Sequence, residues 1–113
     1  MKTRFLLGIL ALVLALSYAA LARPQQAAEP AATAEVTIDN FTFSPAELHV
    51  KAGTQVVWVN KDDIPHNIVS EDKTFKSKVI DTDERFTFLA AKPGTYPYFC
   101  GIHPHMRGKL VVE

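Results

Sequence analysis

An all-β domain, folded as an antiparallel Greek-key β-sandwich of about seven to eight strands, is what this sequence predicts. Three features carry that expectation. Beyond the apolar N-terminal run, no stretch shows helical spacing of apolar residues with capping residues at its ends. Short runs rich in Val, Ile, Thr, Phe and Tyr recur instead, several of them alternating with polar residues. Between these runs fall clusters of Pro, Gly, Asp and Lys of the kind that turn a chain.

Residues 1–22 read as an export signal. Lys2 and Arg4 precede an apolar run from Phe5 to about Leu16, and Ala20-Leu21-Ala22 supplies a small-x-small pattern at which cleavage leaves Arg23 first. Were it retained, Phe5 to Ala22 is long enough to anchor the chain in a bilayer. Cleavage is the expectation, because no second apolar run follows. Either way the domain is expected outside the cytoplasmic membrane. Residues 23–34, "RPQQAAEPAATA", lack apolar periodicity and are expected to form a disordered linker. The folded domain is then 35–113.

Within it, "EVTIDNFTF" alternates, offering Val36, Ile38, Phe41 and Phe43 to a buried face. Ser44-Pro45 breaks that run, and "ELHVKAG" gives a second strand closed by Ala52-Gly53. "TQVVWVN" is strongly β-prone, "KDDIP" is a turn, and "HNIVS" is another extended piece. Glu71 to Ser77 is polar and reads as loop. "RFTFLA" alternates Phe86 and Phe88, Lys92-Pro93-Gly94 turns the chain, "TYPYFC" alternates Tyr96, Tyr98 and Cys100, and "GKLVVE" ends it. Trp58, Phe41, Phe43, Phe86 and Phe88 are assigned to the core on strand spacing.

Composition bounds the function without naming it. With 113 residues, 48% of them hydrophobic, the chain makes one compact domain. From Glu35 onward nine Lys and Arg face eleven Asp and Glu, with no long run of one sign. Neither nucleic acid nor an anionic membrane surface is indicated.

The informative stretch is "YFCGIHPHM", Tyr98 to Met106. Cys100, the single cysteine, cannot form an internal disulfide, and an odd thiol in an exported protein requires an explanation. It can be a small buried hydrophobe, an intermolecular disulfide partner or a metal ligand. Its inward phase on an alternating strand argues against the second. His103 and Met106 follow at three-residue steps, with Gly101 and Pro104 to turn the loop. Zinc rarely uses methionine, and iron–sulfur clusters need several thiolates. A thiolate with imidazole and a thioether selects copper, and one Cys, two His and a weak axial Met make a blue-copper centre. The loop supplies three of those four, so a second histidine must come from elsewhere. His49 lies between Leu48 and Val50 and points to solvent if they point inward. His66, after the "KDDIP" turn, stands at a sheet end, with Asn67 beside it to orient the site by bonding adjoining backbone.

Taken together, "PAELHVKAG", "VVWVN", "IPHNIV", "PGTYPYFC" and "CGIHPHMRGKLVVE" resemble the cupredoxins, the blue copper proteins, and among them the amicyanin class, from about Glu35 to Glu113. The resemblance implies a cupredoxin-like sandwich binding one copper ion, Cu(I)/Cu(II), through His66, Cys100, His103 and Met106. It also implies a monomeric periplasmic one-electron carrier. Its partners would be redox proteins such as a periplasmic dehydrogenase or a c-type cytochrome, docking at an apolar patch of Ile64, Pro65, Pro104 and Met106 around His103. Two departures stand out: His105 replaces the usual phenylalanine, and the segment from His66 to Cys100 is shorter. An enzyme is not expected, since Phe99 and Gly101, not histidines, flank Cys100 and too few histidines remain for a second centre. Copper storage or delivery with the same ligands is the alternative function.

Overall fold

The computed structural model describes residues 32–113, and the expected export signal with all but the end of the expected linker lies outside that range. Eight strands follow in order: β1 Ala32–Asp39, β2 Thr42–Ser44, β3 Glu47–Val50, β4 Thr54–Asn60, β5 Val69–Ser70, β6 Arg85–Ala90, β7 Gly94–Cys100 and β8 His103–Val112. They form two four-stranded sheets, ordered β2-β1-β4-β6 and β3-β8-β7-β5. Among the described residues there is no helix.

The expected all-β sandwich is present, with a mixed strand direction. Pairs β1/β4 and β3/β8 are parallel, the others antiparallel. The chain crosses to the second sheet for β3 and returns for β4, so strands near in sequence meet as parallel neighbours. β1 opens at Ala32, so the expected boundary between linker and domain falls inside this strand. Ala32, Thr33 and Ala34 pair with Thr54, Gln55 and Val56. Main-chain pairing to a central strand recruits these residues, and their small side chains gave no sign of it.

The two sheets close over one core. Trp58, on central strand β4, has no exposed surface and meets Phe75, Phe86 and Tyr98, each at a ring-centroid distance of 5.5 Å. Val36, Ile38, Phe43 and Val56 complete the first sheet's inner face, and Cys100, Leu110 and Val112 lie opposite. Phe86 and Phe88 pack against this core while remaining half-buried. Tyr98 lies against Gly108 so closely that a Cβ there would overlap its ring.

Two expectations about apolar residues are corrected. "EVTIDNFTF" is a hairpin and not one strand. Asp39 pairs with Thr42, leaving Asn40 and Phe41 as a two-residue turn with φ of 49° and 57°. The turn throws Phe41 outward to 50% exposure, so it is not a core residue. Conversely, the polar segment after β5 hides Phe75, which is buried against Trp58, Phe88 and Tyr98. Ser70 holds that loop down: its hydroxyl accepts from Phe75 N–H at 2.9 Å and donates to Phe75 C=O at 3.1 Å.

Strand polarity sets the two ends of the sandwich. β1 and β4 run in the same direction, from Ala32 and Thr54 to Asp39 and Asn60. The turns that follow Asp39 and Asn60 therefore share one end of the sandwich. Ala32 enters at the other.

Candidate metal centre

At the end beyond Asn60, a fully buried asparagine shapes the first ligand-bearing turn. Asn60 Nδ2 donates to Ile64 C=O at 2.9 Å and to Ile80 C=O at 3.0 Å, while its Oδ1 accepts from Asp62 N–H at 3.0 Å. The folded turn delivers His66, which exchanges backbone hydrogen bonds with Ile80 at 3.1 and 2.8 Å and has no exposed surface. The other donors come from the β7/β8 hairpin. Cys100 pairs with His103 there, beside a register irregularity at Phe99/Cys100 that aims the thiol inward.

These elements converge. Cys100 Sγ lies 3.7 Å from His66 Nδ1 and 3.7 Å from His103 Nδ1, and the two nitrogens are 3.2 Å apart. Met106 is buried and lines the same hollow as His103. All four residues expected as ligands thus gather at one end of the sandwich. His49 does not: it is exposed on β3, near Glu47 and Glu113.

The triangle matches the size of one metal ion. Bonds of about 2.3 Å to sulfur and about 2.0 Å to nitrogen, opening at about 120°, put the two ligand atoms about 3.7 Å apart. Both nitrogen–sulfur separations have that value. A thiol, two imidazoles and a thioether are donors suited to copper.

Neighbouring groups fix the donors. Asn67 acts as the sequence suggested: its Oδ1 accepts from Gly101 N–H at 2.6 Å, joining the two ligand-bearing segments. Asn67 N–H also points to Cys100 Sγ at 3.5 Å. The residue that sequence reasoning missed is Asp62. His66 Nε2 donates to its Oδ2 at 2.9 Å, which assigns the proton to Nε2 and leaves the Nδ1 lone pair facing the thiol. That bond, and then the one from Phe41 N–H at 3.0 Å, hold the Asp62 carboxyl below its ordinary range of about 3.8. In sequence, Asp62 is one more polar residue of a turn, and only the four-residue step to His66 could have singled it out.

The expected apolar patch is present with altered membership. Phe41, Ile102, Pro104 and His105 surround His103 at the surface. Pro65 is exposed and Ile64 half-buried, while Met106 lines the hollow but is buried beneath its surface.

Similarity to known proteins follows the same residues. A family model described as a cupredoxin-like domain matches residues 8–112. Amicyanin-alpha of Methylorubrum extorquens is 36% identical over 104 residues, covering 88% of this chain and 86% of the relative. Amicyanin of Paracoccus versutus is 38% identical over 98 residues, covering 80% and 74% respectively. Among solved structures, a novel purple cupredoxin from Nitrosopumilus maritimus aligns with a TM-score of 0.69 at 33% identity, over 71% of this chain and 99% of that one.

Proposed function

The chain belongs to the cupredoxin family, and from that premise we propose that it is a type 1 copper electron carrier of the periplasm, with His66, Cys100, His103 and Met106 as ligands. It is a carrier and not an enzyme. The observation that supports the ligand set is the triangle of Cys100 Sγ with the two Nδ1 atoms, sized for a single ion. One copper ion bound there supplies reversible one-electron exchange between Cu(I) and Cu(II).

The protein's part is to keep the donors in place whatever the charge at the centre. His66 is fixed by Asp62 and by its pairing with Ile80, and Cys100 ends a strand paired along its length with β8. Burial of His66, Cys100 and Met106 excludes water from three of the four donors. Little rearrangement then accompanies a change of valence. His103 is the half-buried ligand and gives electrons a route to the surface. Phe41, Ile102 and Pro104 make the surrounding surface apolar, which suits brief docking of a redox protein such as a dehydrogenase or c-type cytochrome.

Copper(II) added to the metal-free protein should produce an intense visible thiolate-to-copper band, absent from Cys100→Ser, and electron self-exchange between oxidised and reduced copies should be rapid. A colourless oxidised form would refute the ligand set. A coloured form with slow self-exchange would favour copper storage or delivery instead. Export is supported by Lys2, Arg4, the apolar run and Ala20-Leu21-Ala22. The protein recovered from periplasm should begin at Arg23, and recovery only from cytoplasm would refute the location.

A further inference from the structure

Phe41 occupies a conformation that its residue type disfavours. With φ of 57° it lies in the left-handed region, which glycine enters freely and a bulky side chain rarely does. Core burial does not explain its retention, since half of the side chain is exposed. Such an outlier calls for a local cause, and the contacts of this turn supply one.

Phe41 N–H donates to Asp62 Oδ2 at 3.0 Å, and the same oxygen accepts from His66 Nε2 at 2.9 Å. One carboxylate oxygen therefore fastens the β1–β2 turn to the more rigid imidazole. From that anchor the Phe41 ring reaches both histidines, edge to face, at centroid distances of 5.7 Å to His66 and 5.1 Å to His103. The two imidazoles differ in how they are held. His66 has Asp62 and Ile80 behind it. Among the described residues, His103 has hydrogen-bond-range partners for its ring only in Cys100 and His66, both members of the same donor cluster. Outside that cluster, the aromatic ring packed against His103 is that of Phe41.

We propose that Phe41 is a positioning residue for His103: its ring, braced through Asp62, holds the loop imidazole over the site in metal-free protein and slows its departure when copper is bound. This rests on reading His66, Cys100, His103 and Met106 as the copper ligands. One aromatic contact of this kind corresponds to roughly a two- to twelvefold change in an equilibrium or rate.

Phe41→Gly separates the ring from the turn, because Asn-Gly is the favoured pair for a two-residue hairpin and the backbone should fold at least as readily. Carbon-13 relaxation of the His103 ring, measured on metal-free protein, should show more motion in Phe41→Gly than in wild type. Phe41→Leu, apolar but without the ring, should follow Phe41→Gly, and Phe41→Tyr should restore wild-type behaviour. On copper(I)-loaded protein, transfer of copper to excess chelator should be faster in Phe41→Gly by about two- to twelvefold. Equal ring motion in wild type and Phe41→Gly, or equal transfer rates, would overturn the proposal. Ring motion is read without metal, so a null there refutes the role of Phe41 itself. Wild-type protein that takes up no copper refutes the ligand assignment and the proposal together.

Discussion

Replacing Asp62 by alanine tests how the centre is built before any metal arrives. Asp62 is almost fully buried, and its Oδ2 satisfies two donors: the Phe41 amide at 3.0 Å and the Nε2–H of His66 at 2.9 Å. Oδ1 also receives the Asp63 amide, at 3.2 Å. Alanine offers no acceptor, and His66, without exposed surface, cannot turn to water for one. Each stranded donor costs about 1–3 kcal/mol, so losing the first two together costs about 2–6 kcal/mol. Whole domains are stable by only about 5–15 kcal/mol. At about 4–8 °C per kcal/mol for a domain of this size, the melting temperature of metal-free protein should fall by about 8 °C or more. Thermal unfolding followed by circular dichroism reads this directly. Asp62→Asn, which keeps an acceptor oxygen, should lose less than half as much. Melting of Asp62→Ala within about 2 °C of wild type would refute the reasoning, since it would mean that neither donor depends on the carboxylate.

The other predictions concern the loop after β5. Phe75→Ala should destabilise the domain by about 3–5 kcal/mol in urea titration, although its neighbours in sequence are polar, because it empties the space beside Trp58. A loss below 1 kcal/mol, roughly the figure for a surface site, would show that the loop does not belong to the core. Asp72 Oδ1 accepts from Thr74 N–H at 2.9 Å, and that bond, foremost, holds its carboxyl below the ordinary value of 3.8. A depressed carboxyl keeps its stabilising bond above the ordinary value and loses it as pH falls through the folded one. The Thr74 amide resonance should therefore titrate with a midpoint below 3.8, and in Asp72→Asn it should be flat over the same range. A midpoint above the ordinary value would reverse the sign and the explanation.

What could be read from the sequence depended on how local each cause is. That Cys100, His103 and Met106 gather with a distant histidine was legible because the pattern is rare: a lone thiol, an imidazole and a thioether at equal steps leave few metals to consider. β4 and β7 were legible because a run such as "TQVVWVN" or "TYPYFC" carries its β preference in its own residues. The β1–β2 hairpin was not, since Asn40-Phe41 lacks the glycine that marks such turns and apolar alternation passes straight through it. Phe75 was hidden for the opposite reason, as a single aromatic in a polar loop whose burial is decided by Trp58 and Tyr98 far along the chain. Asp62 looked like an ordinary turn residue and Asn60 like the polar end of a β-prone run, because their hydrogen bonds reach Phe41, Ile64 and Ile80, and no local pattern records such partners. The parallel pairings were illegible on the same ground, because register between strands separated by a crossing leaves no periodic trace.

The direction of β1 has a practical corollary. Its eight residues place Ala32 roughly 23 Å along the strand from the turn that carries Phe41. A lipid bilayer, a bead, an electrode or a fusion partner coupled ahead of Ala32 would therefore grip the molecule by its base and leave the coloured tip pointing away. Immobilisation through the N-terminus is accordingly the attachment that should least disturb measurements of electron exchange.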